Sequence, residues 1–377
     1  MDKCAVSKYC GGCRYQGLAY EKQLQLKQES VDKLLAKFGK VNKIIGMDNP
    51  FHYRNKVQVS FGYDDYKHVI CGNYVTSTHM IVPVEDCQIC DEKANEIIGS
   101  IKRLVIKHKI TIFDERAMKG CIRHVLIRCS SNNEYMVVLV TGSQTIRNGE
   151  QFVKDIVKYN PEVTSIVQSI NNKHTSMVLG NRNEVLYGKG YIADNLCGLD
   201  FQISASSFYQ VNKRQTEVLY NKAIEAANLK GNETLIDAYC GTGTIGLIMS
   251  KNVKKVIGVE LNKQAVKDAN KNMRNNKITN CEFVCDDASN FMSRLAKTKE
   301  KIDVVVMDPP RSGADIKFLK ALVALRPAKV VYVSCNPVTL KEILNYLGKY
   351  YKVKSIQPVD MFSFTEHVET VVNLSRK

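Results

Sequence analysis

The sequence has no long apolar run, no apolar stretch near its start and no internal repeat. No segment reaches the roughly 18 consecutive apolar residues of a membrane-spanning helix, which argues against a membrane-embedded protein. The opening residues, MDKCAVSKYCGGC, contain no apolar segment long enough for a signal peptide. Ordinary proportions of apolar (44%) and charged (24%) residues argue against a disordered or collagen-like chain. We therefore expect a cytoplasmic protein that binds no membrane.

The chain has 377 residues, which predicts two or three domains at roughly 150 residues per domain. Its 54 Lys and Arg residues outnumber its 38 Asp and Glu residues, so the formal net charge is +16. Such an excess is typical of proteins that bind nucleic acid, although a basic solvated surface is the plainer explanation.

Thirteen cysteines without a secretory signal are more typical of thiols, metal ligands or catalytic groups than of disulfides. Two pairs have metal-ligand spacing, Cys10 with Cys13 and Cys87 with Cys90. Together these pairs fit a four-thiolate zinc site. Such a site would leave Cys4 unused.

The pattern along the chain predicts an α/β protein with several parts. Residues 20–38 have the apolar spacing of one amphipathic helix, and residues 51–192 mix β-rich and helical stretches, which predicts an α+β domain. From about Thr234, apolar strands alternate with helical patterns, which predicts a parallel sheet with helices on both faces. We expect an N-terminal segment at 1–50, an α+β domain at 51–195 and an α/β domain at 196–377.

Ligands of such a sheet bind beyond the carboxyl ends of its strands. Gly241, Gly243 and Gly246 follow the first strand with G-x-G-x-x-G spacing, which fits NAD as well as S-adenosylmethionine. Glu260 ends the second strand and could accept both ribose hydroxyls of an adenosine cofactor. Asp287 follows the third strand and could contact the adenine edge or cap a helix.

The fourth strand ends in Asp308-Pro-Pro-Arg311. The double proline predicts a rigid corner that aims Asp308 into the crevice at the strand ends. Dinucleotide dehydrogenases do not need this corner. Amino-group methyltransferases follow a related corner with an aromatic residue, whereas Arg311 takes that place here.

The fifth strand ends at Cys335, where a strand is followed by a helix. Helix N-termini and nearby cations lower a thiol pKa, so we expect a reactive thiolate here, with a buried structural cysteine as the alternative. His367 and Glu369 precede the last strand. A cysteine and a carboxylate in one crevice would supply a nucleophile and a proton acceptor.

Together these residues resemble the S-adenosylmethionine-dependent RNA uracil-C5 methyltransferases, in particular the iron–sulfur-containing enzymes that modify 23S ribosomal RNA. The resemblance runs from Cys4 to Glu369. It rests on six motifs in order, which are Cys4-x5-Cys10-Gly-Gly-Cys13, Phe208-Tyr-Gln210-Val-Asn212, Asp237 to Gly243, Asp308-Pro-Pro-Arg311, Ser334-Cys335-Asn336-Pro337 and the stretch from Asp360 to Glu369.

The resemblance implies a Rossmann-like methyltransferase domain and a specific chemistry. Cys335 would add to C6 of an extruded uracil, and Glu369 would later remove the C5 proton. The cofactor, S-adenosylmethionine, would contact Gln210, Tyr239, Thr244, Glu260, Asp287 and Asp308. The target uracil would contact Phe208, Gln210 and Asp308.

The resemblance also implies a [4Fe-4S] cluster on Cys4, Cys10, Cys13 and Cys87, with Cys90 as the alternative fourth ligand. Uracil methylation needs no electron transfer, so we expect the cluster to have a structural or RNA-positioning role.

Two features depart from the family pattern. The chain has Ser363-Phe364 where the family usually has Pro-His, so local contacts should differ. We also expect the family's N-terminal RNA-binding barrel to be missing, so that RNA affinity comes from the basic surface, the cysteine segment and the central domain. No obligate protein partner is predicted.

The predicted activity is methylation of C5 of a uridine in 23S ribosomal RNA. Transfer-RNA uracil-C5 and RNA cytosine-C5 methylation are the nearer alternatives. An NAD-dependent dehydrogenase, favoured only by the glycine spacing and Glu260, and a non-catalytic RNA-binding protein, favoured only by charge, are the alternatives from other classes.

Overall fold

The computed structural model describes residues 3–76, 78–298 and 300–377. The chain divides into two compact units. The first unit comprises Met1–Gly17, Asn49–Asn195 and Phe201–Ser206, and the second unit comprises Leu18–Asp48, Leu196–Asp200 and Ser207–Lys377. No helix among the described residues is long and apolar enough to cross a membrane.

The first unit contains a seven-stranded sheet with strand order β3-β2-β1-β4-β5-β6-β7. Its neighbouring strands are antiparallel except for β5 and β6, which run parallel. The central strands β4 and β5 are buried along their whole length, as the β-branched runs in their sequences predict. The strands are β1 (Lys56–Tyr63), β2 (Val69–Tyr74), β3 (Ile81–Pro83), β4 (Ile122–Cys129), β5 (Tyr135–Thr141), β6 (Val163–Ile170) and β7 (Arg182–Gly188).

Two helices belong to the first unit, α2 (Glu92–Lys107) and α3 (Gly149–Tyr159). The side chain of Asp91 caps α2 by accepting a hydrogen bond from the Ala94 N–H. This mixture of strands and helices agrees with the α+β architecture predicted for the central part of the chain. A two-stranded hairpin follows, formed by β8 (Tyr191–Leu196) and β9 (Leu199–Ser204).

The second unit contains a seven-stranded sheet with strand order β12-β11-β10-β13-β14-β16-β15. The first five strands in that order are parallel, and β16 is antiparallel to both of its neighbours. The predicted Rossmann-like sheet is thus confirmed. Its strands are β10 (Thr234–Ala238), β11 (Lys255–Glu260), β12 (Cys281–Cys285), β13 (Val304–Met307), β14 (Lys329–Ser334), β15 (Tyr351–Val359) and β16 (Glu369–Arg376).

Helices connect the strands of the second unit. Apolar residues of α7, α8 and α9 pack with the central strands into one core. The helices of this unit are α1 (Tyr20–Leu35), α4 (Lys213–Ala227), α5 (Thr244–Met249), α6 (Lys263–Asn275), α7 (Ala288–Leu295), α8 (Ile316–Leu325) and α9 (Pro337–Leu347).

The division of the chain differs from the predicted ranges near the N-terminus. Residues 18–48, expected to form one segment with the first cysteines, belong to the second unit. The physical reason is burial, because Val31 and Leu35 of α1 are fully buried in the core of the second unit, and Ile44 joins them. The apolar face of α1 therefore covers the C-terminal sheet.

Candidate active site

The glycine-rich turn after β10 is shaped by close backbone approach. The Gly246 N–H donates to Asp237 Oδ2 at 2.7 Å. A Cβ at position 246 would lie 2.8 Å from the same oxygen, so only glycine allows this contact. Gly243 has φ +79°, and a Cβ there would meet the Phe283 ring. The turn leads directly into α5.

Asp237 is a buried acid that opens the Asp237 to Gly243 motif but received no role from the sequence. Its side chain lies at the base of the turn, and Oδ1 has no hydrogen-bond partner among the described residues. Burial, with smaller contributions from Asp308 and Glu260, raises the pKa of Asp237 to about 7, although the Gly246 hydrogen bond opposes them. Its place near the end of β10 and at the start of that motif was the sequence signal for an acid beneath the glycine turn.

Glu260 and Asp287 lie at the ends of the next two strands. Glu260 Oε2 accepts a hydrogen bond from the Gly241 N–H at 3.1 Å, which ties the acid to the glycine turn. Asp287 caps α7 by accepting from the Asn290 N–H at 2.9 Å, so the helix-cap alternative is realised. Its neighbour Asp286 forms an ion pair with Arg294.

Gln210 and Thr244 are brought together through Tyr220, which the sequence analysis missed. The Tyr220 hydroxyl is 3.3 Å from Thr244 Oγ1, and it also hydrogen-bonds the side chain of Gln210. Tyr239 has φ +63°, and its ring lies 5.4 Å from that of Phe318 between ring centroids. A buried tyrosine in the middle of an amphipathic helix carries no sequence signal of such a link.

Cys335, Glu369 and Asp308 converge at the carboxyl edge of the parallel sheet. The last register pair of β14 with β16 is Ser334 with Thr370, so Cys335 and Glu369 are the next residues on facing strands. Asp308 follows β13, which pairs with the other side of β14. Cys335 is half-buried, and Glu369 is only 5% exposed.

The electrostatics of this cluster differ from the prediction. Burial raises the pKa of Asp308 to about 7, and burial together with Asp308 raises the pKa of Glu369 to about 8. Burial, Glu369 and Asp308 raise the pKa of the Cys335 thiol to about 11, although Arg311 opposes them. The predicted lowering of the Cys335 pKa is therefore wrong, because burial of the thiol, reinforced by the two acids, raises it.

The Asp-Pro-Pro-Arg corner is fastened to the N-terminus of α9. Asn336 caps this helix by accepting from the Val338 N–H, and its Nδ2 donates to the Arg311 carbonyl at 3.2 Å. Arg311 Nη2 lies 3.4 Å from His367 Nδ1. The corner thus links the cysteine segment and the C-terminal loop. Phe208, by contrast, is 67% exposed.

The candidate cluster ligands lie in the first unit. Burial and the nearby thiols of Cys87, Cys10 and Cys4 together raise the pKa of Cys13 to about 12, although a hydrogen bond with Gln16 opposes them. A hydrogen bond between Cys87 and Cys90 lowers the pKa of Cys87 and raises that of Cys90. The thiols thus share one neighbourhood. Within the described part of the chain, however, no three His, Cys, Asp or Glu side chains group as a site for a metal ion.

Comparisons with known proteins identify the family of this chain. The family described as tRNA (uracil-5-)-methyltransferase matches residues 19–377. An uncharacterized RNA methyltransferase of Clostridium tetani is 41% identical over 375 residues, covering 98% of this chain and 81% of the relative. Another, from Bacillus cereus, is 43% identical over 376 residues, covering 98% and 82%.

A solved structure is similar along almost the whole chain. It is the tRNA (uracil-54, C5)-methyltransferase of Pyrococcus abyssi in complex with S-adenosyl-L-homocysteine. The TM-score is 0.81 at 26% identity, and the match covers 97% of this chain and 86% of the other.

Proposed function

This chain belongs to the tRNA (uracil-5-)-methyltransferase family and is an S-adenosylmethionine-dependent RNA methyltransferase, and we propose that it methylates C5 of a uridine in 23S ribosomal RNA. The observation that carries the uracil-C5 chemistry is the convergence of Cys335, Glu369 and Asp308 on one crevice. Hydride transfer would give none of these residues a role, so the dehydrogenase alternative is dropped.

The cysteine overcomes the weak nucleophilicity of C5. The Cys335 thiolate forms a bond to C6 of the uracil, which moves electron density to C5. When bound, S-adenosylmethionine would supply an electrophilic methyl group on a sulfonium. The activated C5 would form a bond to that methyl carbon as the carbon–sulfur bond breaks, leaving neutral S-adenosylhomocysteine. Glu369 then takes the proton from C5, and the electron pair left behind breaks the sulfur–C6 bond. Cys335 is released as a thiolate and the RNA carries 5-methyluridine.

The residues present fit a cationic cofactor. Asp237 Oδ1 is buried without a partner among the described residues, and Asp308 and Glu369 repel each other nearby. A positive charge in this crevice would stabilise the carboxylates and the Cys335 thiolate together. Backbone N–H groups of the glycine turn and the carboxylate of Glu260 would hold the cofactor, with Gln210, Tyr239, Thr244, Asp287 and Asp308 as its further contacts.

The target base would be held by Phe208, Gln210 and Asp308. Phe208 is exposed and so is available to stack on an extruded base. An ionised Asp308 would accept the N3 proton of uracil, which cytosine lacks. Mass spectrometry of nucleosides from modified RNA tests this choice, because 5-methylcytidine instead of 5-methyluridine would favour the cytosine alternative.

For the first unit we propose a [4Fe-4S] cluster on Cys4, Cys10, Cys13 and Cys87, with Cys90 as the rival fourth ligand. The support is the shared neighbourhood of these thiols, which are the donors that such clusters use. No step of methyl transfer passes through the cluster. Iron and sulfide analysis of anaerobically purified protein tests it, and one equivalent of zinc alone would contradict it.

Transfer RNA is the second candidate substrate, favoured by the solved tRNA methyltransferase of similar fold. The decisive experiment maps 5-methyluridine in ribosomal and transfer RNA from cells with and without the gene. Loss at one position of 23S ribosomal RNA is expected. Loss confined to transfer RNA would overturn the ribosomal assignment and leave the chemistry intact.

A further inference from the structure

Helix α1 contacts, through a buried ion pair, the loop that follows β15. Lys27 Nζ is 2.6 Å from Asp360 Oδ1, and neither side chain is exposed. The same ammonium donates to the Phe362 carbonyl oxygen at 2.9 Å. A buried lysine is costly unless its charge is paired and its protons are bonded. The pair therefore constrains the loop far more than a surface ion pair would.

Further hydrogen bonds fix Asp360. The Tyr20 hydroxyl donates to Oδ2 at 2.8 Å, and the Phe362 N–H donates to Oδ1 at 3.1 Å. Gln215 Nε2 donates to the Asp360 carbonyl at 2.8 Å, and the Asp360 N–H donates to the Ile45 carbonyl at 2.8 Å. The side chain and the backbone at the start of the loop are thus both held.

Gln23, one turn before Lys27, holds the same loop further along. It is fully buried, and its Oε1 accepts from the Phe364 N–H at 2.7 Å. Phe364 has φ +62°, a left-handed conformation that costs a bulky residue energy unless its surroundings support it. Helix α1 supplies that support at the position where the chain departs from the family's usual Pro-His.

The loop held by α1 leads to the proposed base. Val359, directly before Asp360, is the register partner of Glu369 across β15 and β16. His367, which lies beside Arg311, belongs to the same loop. A shift of Asp360 would therefore move the strand end opposite Glu369.

We propose that Lys27 is a positioning residue that, through Asp360 and the Phe362 carbonyl, holds Glu369 where it can reach the C5 proton. The inference rests on the proposed function, in which Glu369 removes that proton. Lys27 touches no reacting atom. Its loss should therefore slow proton removal and leave cofactor binding and methyl transfer unchanged.

The test follows the covalent enzyme–RNA adduct in a single turnover. The substrate is ribosomal RNA purified from cells that lack the gene, with transfer RNA from the same cells as a second substrate. For Lys27→Met we expect the denaturation-resistant adduct to form at the wild-type rate and to decay about 10- to 100-fold more slowly. Lys33→Met, an exposed lysine of the same helix, should decay like the wild type. S-adenosylmethionine binding, measured by calorimetry, should be unchanged in both variants.

A second pair of variants separates positioning from stability. Lys27→Met leaves Asp360 buried without its cation and should lower the unfolding temperature. The double variant Lys27→Met/Asp360→Asn removes both charges and should recover that temperature, while the slow decay persists because the Phe362 carbonyl still lacks its donor. Tyr20→Phe keeps the ion pair and should slow decay about fivefold. A double variant that recovers both stability and wild-type decay would overturn the positioning role.

The Glu369→Gln variant distinguishes failure of the Lys27 positioning role from failure of the proposed function. If it accumulates the adduct while every Lys27 variant decays at the wild-type rate, the positioning role is wrong and the proposed function stands. If neither the wild type nor Glu369→Gln forms an adduct on either RNA, the proposed function itself fails.

Discussion

The two units contain sheets of seven strands each that are built in different ways. Five strands of the second unit run parallel, so the residues that follow them, among them Glu260, Asp308 and Cys335, meet at one edge. The first unit is antiparallel at every pairing but one, so its strand ends alternate between two edges. Its candidate cluster cysteines come instead from the start of the chain and from the segment before α2. Parallel strands bring functional residues to one edge of the sheet. In a largely antiparallel sheet, loops must bring such residues together.

The two units also hold their acids differently. Asp237 and Glu369 of the second unit are buried and Asp308 is partly buried, and the pKa of each is raised. Asp155 of the first unit is bonded to Lys107, His108 and Gln151, which hold its pKa well below the usual range. The acids of the second unit favour a cationic ligand, whereas the charge of Asp155 is already balanced by its neighbours.

The largest effect should follow removal of the sulfur at the edge of the second sheet. Cys335→Ala should lower methyl transfer by about 10⁴-fold or more, because C5 is then never activated. Transfer of radiolabelled methyl groups to RNA measures the loss. Cys281→Ala is the matched control and should be fully active. It removes a thiol from the first residue of β12, at the edge of the same sheet that lies opposite to Cys335. Comparable activities of the two variants would remove Cys335 from the chemistry.

Glu369→Gln should lower turnover by about 10²- to 10⁴-fold, since the amide cannot accept the C5 proton. The methylated adduct should accumulate and survive denaturation, as a slow band on a denaturing gel. Glu366→Gln, an exposed acid of the same loop, should turn over normally. A Glu369→Gln variant that turns over without accumulating adduct would require another base.

The pH dependence of adduct decay should follow the ionisation of Glu369. Its pKa is raised to about 8 by burial and by Asp308, and only the carboxylate accepts a proton, so decay should speed up as pH rises through that value. Asp308→Asn removes the repelling charge, so the profile should move to lower pH even though the overall rate falls. Decay measured between about pH 6 and about pH 9 checks both. An unmoved profile would mean that the two acids do not interact.

The smallest effects concern stability, where the units should respond to pH in opposite directions. The raised pKa values of Asp237 and Glu369 mean that the folded second unit binds more protons than the unfolded chain, so its stability should fall from about pH 6 to about pH 8 by the order of 1 kcal/mol per acid. The lowered pKa of Asp155 stabilises the first unit above the unfolded value near 3.8, and that contribution is lost in acid. Hydrogen exchange resolved by peptide checks this. If the stability of both units changed with pH in the same direction, this prediction would be wrong.

Much of the second unit could be predicted from the sequence because its candidate site residues lie at the ends of strands. The apolar runs predict a parallel sheet, and the double proline and Cys335 each follow one of its strands. Parallel strands bring those residues to one edge. Glu369 reaches the same edge because it is the first residue of β16, which runs antiparallel to β14. No comparable rule exists for the cysteines of the first unit, and their arrangement depends on loop conformations.

What the sequence could not provide came from contacts between distant residues. The membership of α1 in the second unit depends on burial of Val31 and Leu35 against a sheet formed some 200 residues later. The pair of Lys27 with Asp360 spans 333 residues. Cys335 shows the same limit. A helix N-terminus can be predicted from the sequence, but the burial and the acids that raise the Cys335 pKa come from other parts of the fold.

The central claim is that a sulfur atom bonds transiently to the pyrimidine ring. Ribosomal RNA containing 5-fluorouridine, incubated with the protein and S-adenosylmethionine, tests it directly, because fluorine cannot be removed from C5 as a proton would be. We expect a conjugate that survives denaturation and whose peptide mass places the nucleotide on Cys335. Methylated product from ordinary RNA without any such conjugate from the fluorinated RNA would contradict the account.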